Sequence, residues 1–178
     1  MMIDELKLLK EIGYSSGEGE LRVGGVRVFL SSTDILNVTR EKIIGIGPAG
    51  RRFMYEAGKA AGRRYAEAVE EIYGRVEAKN RFVESCERFG SLTGWGHLKV
   101  VEEDFNSFFF KITLRNTFFS SDKQEKTCEY NAGMLAGAAE VILGREMDVL
   151  ETQCVNESDE FDECVFSMKP SVEFKQLF

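Results

Sequence analysis

"CEYNAGMLAGAAEVILGREMDVLETQCVNESDEFDECVF", residues 128 to 166, changes its periodicity halfway along. Tyr130, Met134, Ala138, Val141 and Ile142 fall on one side of a helix, which predicts a helix over 128–143 with Gly144 closing it. Met147 to Val155 and Cys164 to Lys169 then read as two strands. The acidic segment Asn156-Glu157-Ser158-Asp159 joins them, and Pro170 limits further sheet pairing. A helix feeding an antiparallel hairpin sets the pattern for the rest of the chain.

Upstream, "GWGHLKVVEEDFNSFFFKITLRNTFF" (residues 94 to 119) carries a second hairpin. Leu98 and Val100 flank Lys99, while Phe108, Phe110, Ile112 and Leu114 alternate with Phe109, Lys111, Thr113 and Arg115, with Asp104 to Ser107 as the connection. Ser120-Ser121-Asp122 opens a polar loop before Cys128. Before the hairpin, Asn80 to Phe89 predicts a helix ending at Gly90, and residues 48 to 73 predict a long one. Thr33 and Asp34 are N-cap residues for a helix to about residue 44. Residues 19 to 31 alternate around Gly24-Gly25 as a hairpin through Leu21, Val23, Val26, Val28 and Leu30, and Ile3, Leu6, Leu9 and Ile12 read as a short amphipathic opening helix. This order predicts one α+β domain over residues 1–178, with an antiparallel, meandering sheet packed against helices.

The composition narrows the functional classes. With 43% hydrophobic and 30% charged residues among 178, the chain is long enough for a real core and too apolar for disorder. A net charge of −7 argues against a nucleic-acid surface, since Arg51-Arg52 and Arg63-Arg64 share their helix with acidic residues. The longest apolar runs are too short to span a bilayer, and Asp4, Glu5, Lys7 and Lys10 break up any secretory signal. The chain therefore reads as cytoplasmic, with no membrane partner. Fourteen Phe against two Pro point to a dense core or an apolar pocket.

"IIGIGPAGRRF", residues 43 to 53, holds Gly45, Gly47 and Gly50 in the spacing of a dinucleotide fingerprint. That motif requires a buried strand before it and a second strand ending in an acidic residue after it. Here Thr39-Arg40-Glu41-Lys42 precedes it and an unbroken helix follows. A turn opening a helix at Pro48 accounts for the residues without a nucleotide.

Three of the four cysteines lie in the opening stretch, and Cys86 stands apart. A final hairpin centred on Asp159 pairs positions whose numbers sum to 318, which sets Cys154 opposite Cys164. Cys128 opens a helix, where free N–H groups and the dipole stabilise a thiolate. Glu151 adds an oxygen, giving the four donors of a closed zinc site. Residues 151 and 154 point to opposite faces of a regular strand, so the site requires a bulge or a strand end between them. Spacing alone also allows three small buried hydrophobes in a reducing compartment.

The stretch resembles the C-terminal signature of the 4-vinyl reductase domain family. The shared features are a cysteine opening a helix with two glycines (Gly133 and Gly137), a turn glycine (Gly144), a strand carrying E-x-x-C, and a final cysteine after an acidic loop. Residues 94 to 119 look like the family's two-strand segment. The resemblance implies a fold similar to that of the transport protein particle subunits, commonly dimeric. It also implies a zinc ion on Cys128, Glu151, Cys154 and Cys164, and a nearby site for an aromatic or hydrocarbon ligand.

Three functions follow as expectations. The first is binding or sensing of an apolar small molecule, with Trp95, His97, Phe108 and Phe110 lining the site. The second is a protein-interaction scaffold, with Gly58 and Gly62 on one helix and Gly133 and Gly137 on another allowing close helix approach, either in a tight dimer or within one chain. The third is reduction of tetrapyrrole vinyl groups, which needs a hydride donor for which the chain shows no motif.

Overall fold

The computed structural model describes residues 12–15, 20–23, 26–28, 31–92, 94–119 and 125–171. The chain runs β1 (Ile12–Ser15), β2 (Glu20–Val23), β3 (Val26–Val28), α1 (Thr33–Ile44), α2 (Pro48–Tyr73), α3 (Arg75–Asn80), α4 (Phe82–Leu92), β4 (His97–Asp104), β5 (Phe109–Arg115), α5 (Glu129–Leu143), β6 (Met147–Gln153) and β7 (Cys164–Pro170). The class is α+β, with antiparallel sheets packed on helices.

The N-terminal strands form a small sheet, β1-β2-β3. The hairpin of β2 and β3 pairs Val23 with Val26, as the alternation predicts. Ile12 begins a third strand rather than ending a helix, because Ile12 to Ser15 pair along β2. The rest of the expected opening helix, the Gly24-Gly25 turn, Leu30 and Ser120-Ser121-Asp122 lie outside the described residues.

The main sheet has the order β4-β5-β7-β6, so each hairpin keeps its own partner and the two join through β5 and β7. That order makes β5 and β7 central. On β5, Phe110, Ile112 and Leu114 are buried, and the central position buries Thr113 as well. On β7, Phe166 and Met168 are fully buried.

Helix α5 lies across this sheet and against α2. It is apolar nearly all round, as a helix buried on several sides must be: Ala132, Leu135, Ala136, Ala139, Ile142 and Leu143 are all buried. Gly144 ends it in the left-handed conformation at φ 70°. The two long helices touch almost backbone to backbone. A Cβ on Gly58 would stand 2.1 Å from the carbonyl oxygen of Tyr130, and one on Gly133 would stand 2.0 Å from that of Tyr55. The four glycines thus join two helices of one chain, and their faces are not free for a dimer contact.

An ion pair borders the same crossing. Lys59 Nζ lies 2.5 Å from Glu140 Oε1, and Arg63 donates to the other oxygen at 2.5 Å. Burial alone would raise the Glu140 carboxyl, but the hydrogen bonds from Lys59 and Arg63 outweigh it and hold the carboxyl below its ordinary value.

Two helix boundaries differ from the sequence reading. Gly74, at φ 80°, ends α2 and starts the short α3, which the periodicity did not separate. Helix α4 begins at Phe82 and runs through Gly90 to Leu92. Gly47, at φ 92°, lies in the turn between α1 and α2, with Pro48 in the first turn of the latter. The glycine motif is therefore entered from a helix, where a nucleotide site requires a strand. No helix among the described residues is long and apolar enough to cross a membrane.

Candidate functional site

Pairing of β6 with β7 runs in register from Met147↔Pro170 to Glu151↔Phe166, then shifts by one residue before Gln153↔Val165. The irregularity falls at Thr152. An extra residue re-aims the side chains beyond it, which resolves the opposite-face problem: Glu151 and Cys154 turn to the same side. Beyond the strand, Glu157 folds back, its carboxylate accepting from the Cys154 amide at 3.0 Å and its own amide donating to the Cys154 carbonyl at 3.0 Å.

Cys128 is the N-cap residue of α5, but its side chain makes no capping bond. Its backbone N–H donates to Glu151 Oε2 at 3.1 Å, tying helix to hairpin. Cys128 Sγ lies 3.6 Å from Cys164 Sγ, which lies 3.8 Å from Cys154 Sγ. One donor atom from each of Cys128, Glu151, Cys154 and Cys164 falls within 4.8 Å of the others, and all four residues are buried. Glu151 Oε1 has no hydrogen-bond partner among the described residues.

This donor set fits zinc. Zn–S bonds of about 2.3 Å in a tetrahedron place sulfurs about 3.8 Å apart, close to the separations above. A disulfide needs about 2.05 Å, and all three cysteines are free. The unpartnered Oε1 at this site belongs to Glu151, the residue that would be the fourth ligand.

Electrostatics without a metal are frustrated. Hydrogen bonds from Cys128 and Cys164 pull the Cys154 thiol far down, whereas Cys128 is pushed up by its bonds to Cys154 and Cys164 and by burial. Burial, then the charge on Cys154, pushes the Glu151 carboxyl up to about 8. Among the metal-free thiols the hydrogen bonds favour the anion at Cys154, and the N–H of Cys128 goes to Glu151. A dication would relieve the crowding of four acidic groups.

Helix α5 also walls a cavity with about 680 Å³ of empty space, counting its open mouth. Gly62, Tyr65, Ala66 and Val69 of α2 form one wall, Ser85 and Cys86 of α4 another. Trp95, Leu98 and Leu114 come from the first hairpin of the main sheet and the turn before it, and Asn131, Met134, Leu135, Ala138 and Ile142 from α5. None of these side chains is charged. The ring of Trp95 stacks on Tyr130, with centroids 5.4 Å apart, and meets Phe118 edge-on.

Of the four residues expected to line a pocket, only Trp95 does. His97 is exposed at the start of β4, opposite Arg115. Phe108 stands in the turn at φ 56° with the Arg145 guanidinium 4.1 Å from its ring centre. Phe110 is fully buried against Phe82 and Phe105, as core. The strand alternation pointed Phe110 inward correctly, but the cavity opens on the other end of β5, at Leu114. The missed wall did leave a signal: Asn131, Met134, Leu135, Ala138 and Ile142 recur at helical spacing. Cys86, read as isolated from the metal site, lines this cavity instead.

Comparison with known proteins agrees with this fold. Residues 110–170 match the 4-vinyl reductase domain, the family suggested by residues 128–166. The fold is shared with the phenol-responsive sensory domain of the transcription activator PoxR, solved with phenol. The TM-score is 0.75 at 16% identity, covering 97% of this chain and 89% of that one. A trafficking protein particle complex subunit 3 from Naegleria fowleri, covalently bound to palmitic acid, gives a TM-score of 0.58 at 15% identity, covering 79% and 95%. A vinyl-4-reductase family protein from Methanocaldococcus jannaschii gives 0.52 at 23%, covering 82% and 85%. No curated protein matches the chain.

Proposed function

We propose that this chain binds or senses an apolar small molecule, held in the cavity between α2, α4, α5 and the first hairpin of the main sheet. The observation that carries the reading is the cavity wall, which offers aliphatic and aromatic surface with no charged side chain. A concave, largely apolar site with a few polar groups is the usual form of a small-molecule pocket. Phenol in the PoxR domain and palmitic acid in the trafficking subunit support the same class of ligand. In this reading, zinc on Cys128, Glu151, Cys154 and Cys164 is structural, pinning the N-terminus of α5 to the final hairpin.

Trp95 is the chain's single tryptophan and lines the cavity, so its fluorescence reports occupancy. Titration with phenols and medium-chain hydrocarbons should change it saturably, and native mass spectrometry of gently purified protein should show a bound small molecule. A protein that is empty by mass and silent by fluorescence to all of these overturns the reading.

The chain also pairs with a second copy in this proposal. Ile35, Val38, Ile46 and Phe53, on α1, the turn after it and the start of α2, are 60%, 56%, 71% and 61% exposed. Apolar side chains this open are normally covered by a partner when they form one patch. Light scattering at micromolar concentration tests it, and a Phe53→Glu variant that scatters as the wild type does argues against this face.

A further inference from the structure

We infer that Thr127 is a positioning residue of the metal centre: its hydroxyl, oriented by Asn156, donates to Cys154 Sγ and holds that sulfur in place for the metal. This rests on the reading of Cys128, Glu151, Cys154 and Cys164 as zinc ligands. Thr127 Oγ1 lies 3.7 Å from Cys154 Sγ, and both residues are buried. Thr127 thus precedes one ligand in the chain and touches another across the fold.

The direction of the bond follows from Asn156. Its Nδ2 lies 2.6 Å from Thr127 Oγ1 and 3.5 Å from the Phe119 carbonyl oxygen. A carbonyl only accepts, so the nitrogen end of the amide faces this way and donates to both oxygens. A hydroxyl then has one proton left to give, and Cys154 Sγ is the other contact of Thr127 Oγ1 among the described residues. A metal-bound thiolate carries no proton and can only accept. The proton of this bond therefore belongs to the threonine.

The threonine is held from the other side as well. Its carbonyl accepts from Arg40 Nη1 of α1 at 3.0 Å, and the Arg40 guanidinium stands 5.4 Å from the centre of the Phe119 ring. Backbone donors join the hydroxyl around the sulfurs: the Asn156 N–H donates to Cys154 and the Val155 N–H to Cys164. Valine would fill the same buried space as Thr127, but only a hydroxyl links an amide to a sulfur. Such outer hydrogen bonds orient metal ligands, and their loss typically weakens metal binding by about 10–100-fold.

The test reads metal affinity and the cobalt spectrum of the full chain. Competition with a chelator should show Thr127→Val holding zinc about tenfold or more weakly than the wild type, and Thr127→Ser, which keeps the hydroxyl, regaining most of that loss. In cobalt(II)-loaded protein, the sulfur-to-cobalt charge-transfer band should move to longer wavelength in Thr127→Val, because a thiolate without its hydrogen bond gives up an electron more easily. Asn156→Ala leaves the threonine in place but unoriented, so it should move the band the same way by less, and it serves as the probe if the valine variant does not fold. A valine variant that loses affinity with its band unmoved has lost packing alone, which overturns the role of Thr127. So does a serine variant as weak as the valine one, or an Asn156→Ala band at the wild-type position. If the wild type takes up zinc and cobalt and Thr127→Val matches it in both readouts, this inference falls and the metal reading stands. A wild-type protein that takes up neither ion overturns the metal reading and this inference together.

Discussion

The carbonyl oxygen of Lys59 lies 2.0 Å from the point a Cβ would occupy on Gly137, and the same clash recurs at Gly62 against Met134, at 2.1 Å. Two helices approach this closely only where neither carries a side chain. Gly137→Ala should therefore push α5 away from α2. An alanine gains helix propensity, about 1 kcal/mol, but overpacking against backbone costs more, leaving a net loss of about 2 kcal/mol. Urea unfolding measures it, and a stabilised alanine variant would mean that the helices can separate cheaply.

Loss of a metal ligand should be far more damaging. Structural zinc contributes on the order of 10 kcal/mol of apparent binding free energy, comparable to the stability of a whole domain. Cys154→Ser should release the metal and unfold the final hairpin, and Glu151→Gln should weaken zinc binding while keeping a fold. Elemental analysis of protein purified without chelator, read beside thermal melts, checks both. Cys86→Ser should leave zinc content unchanged, because Cys86 belongs to the cavity.

Cys86 should also be chemically quiet. Burial, with the nearby charge of Glu87, pushes its thiol up to about 12. Alkylation at pH 8 should run on the order of a thousandfold slower than for an exposed cysteine, because the thiolate is the reacting form. Mass spectrometry after timed iodoacetamide treatment follows it in zinc-loaded protein. Cys86→Phe, which fills the cavity, should abolish ligand-dependent change in Trp95 fluorescence with zinc retained.

Acid should weaken the α2–α5 crossing through Glu140. Its folded-state carboxyl lies below the ordinary value of 4.5. A depressed carboxyl contributes stability above its unfolded pKa and loses it as pH falls through the folded one. The wild-type chain should thus lose stability below about pH 4.5. Glu140→Gln should flatten that loss while costing about 3 kcal/mol near neutrality, since Lys59 is left buried beside it. Melting temperature against pH for the two proteins separates these outcomes.

The C-terminal third was legible in the sequence because each of its features is local. Cap, turn glycine and strand alternation outlined α5 and the last hairpin, but the register sum of 318 holds only at Gln153↔Val165; from Met147↔Pro170 to Glu151↔Phe166 the sum is 317, because the irregularity at Thr152 shifts the ladder by one. The need for a bulge followed from Glu151 and Cys154 alone. What could not be read depends on elements that are distant in the chain. Whether Phe110 faces a void or a ring is decided by Phe82 and Phe105, and nothing near Cys86 says that α4 faces Met134 across open space. That the N–H of Cys128 goes to the Glu151 carboxylate is revealed only by the placement of Glu151.

Glycine on both sides of the α2–α5 contact also limits how the cavity can be remade. Interlocked this tightly, the two helices can neither slide nor turn against each other, so two of the cavity's walls are fixed in place. A change of ligand preference has to come from side chains exchanged on those walls or from movement of α4 and the first hairpin of the main sheet. Mutational libraries aimed at new ligands should vary Ser85, Cys86, Leu98 and Asn131, and leave Gly58, Gly62, Gly133 and Gly137 untouched.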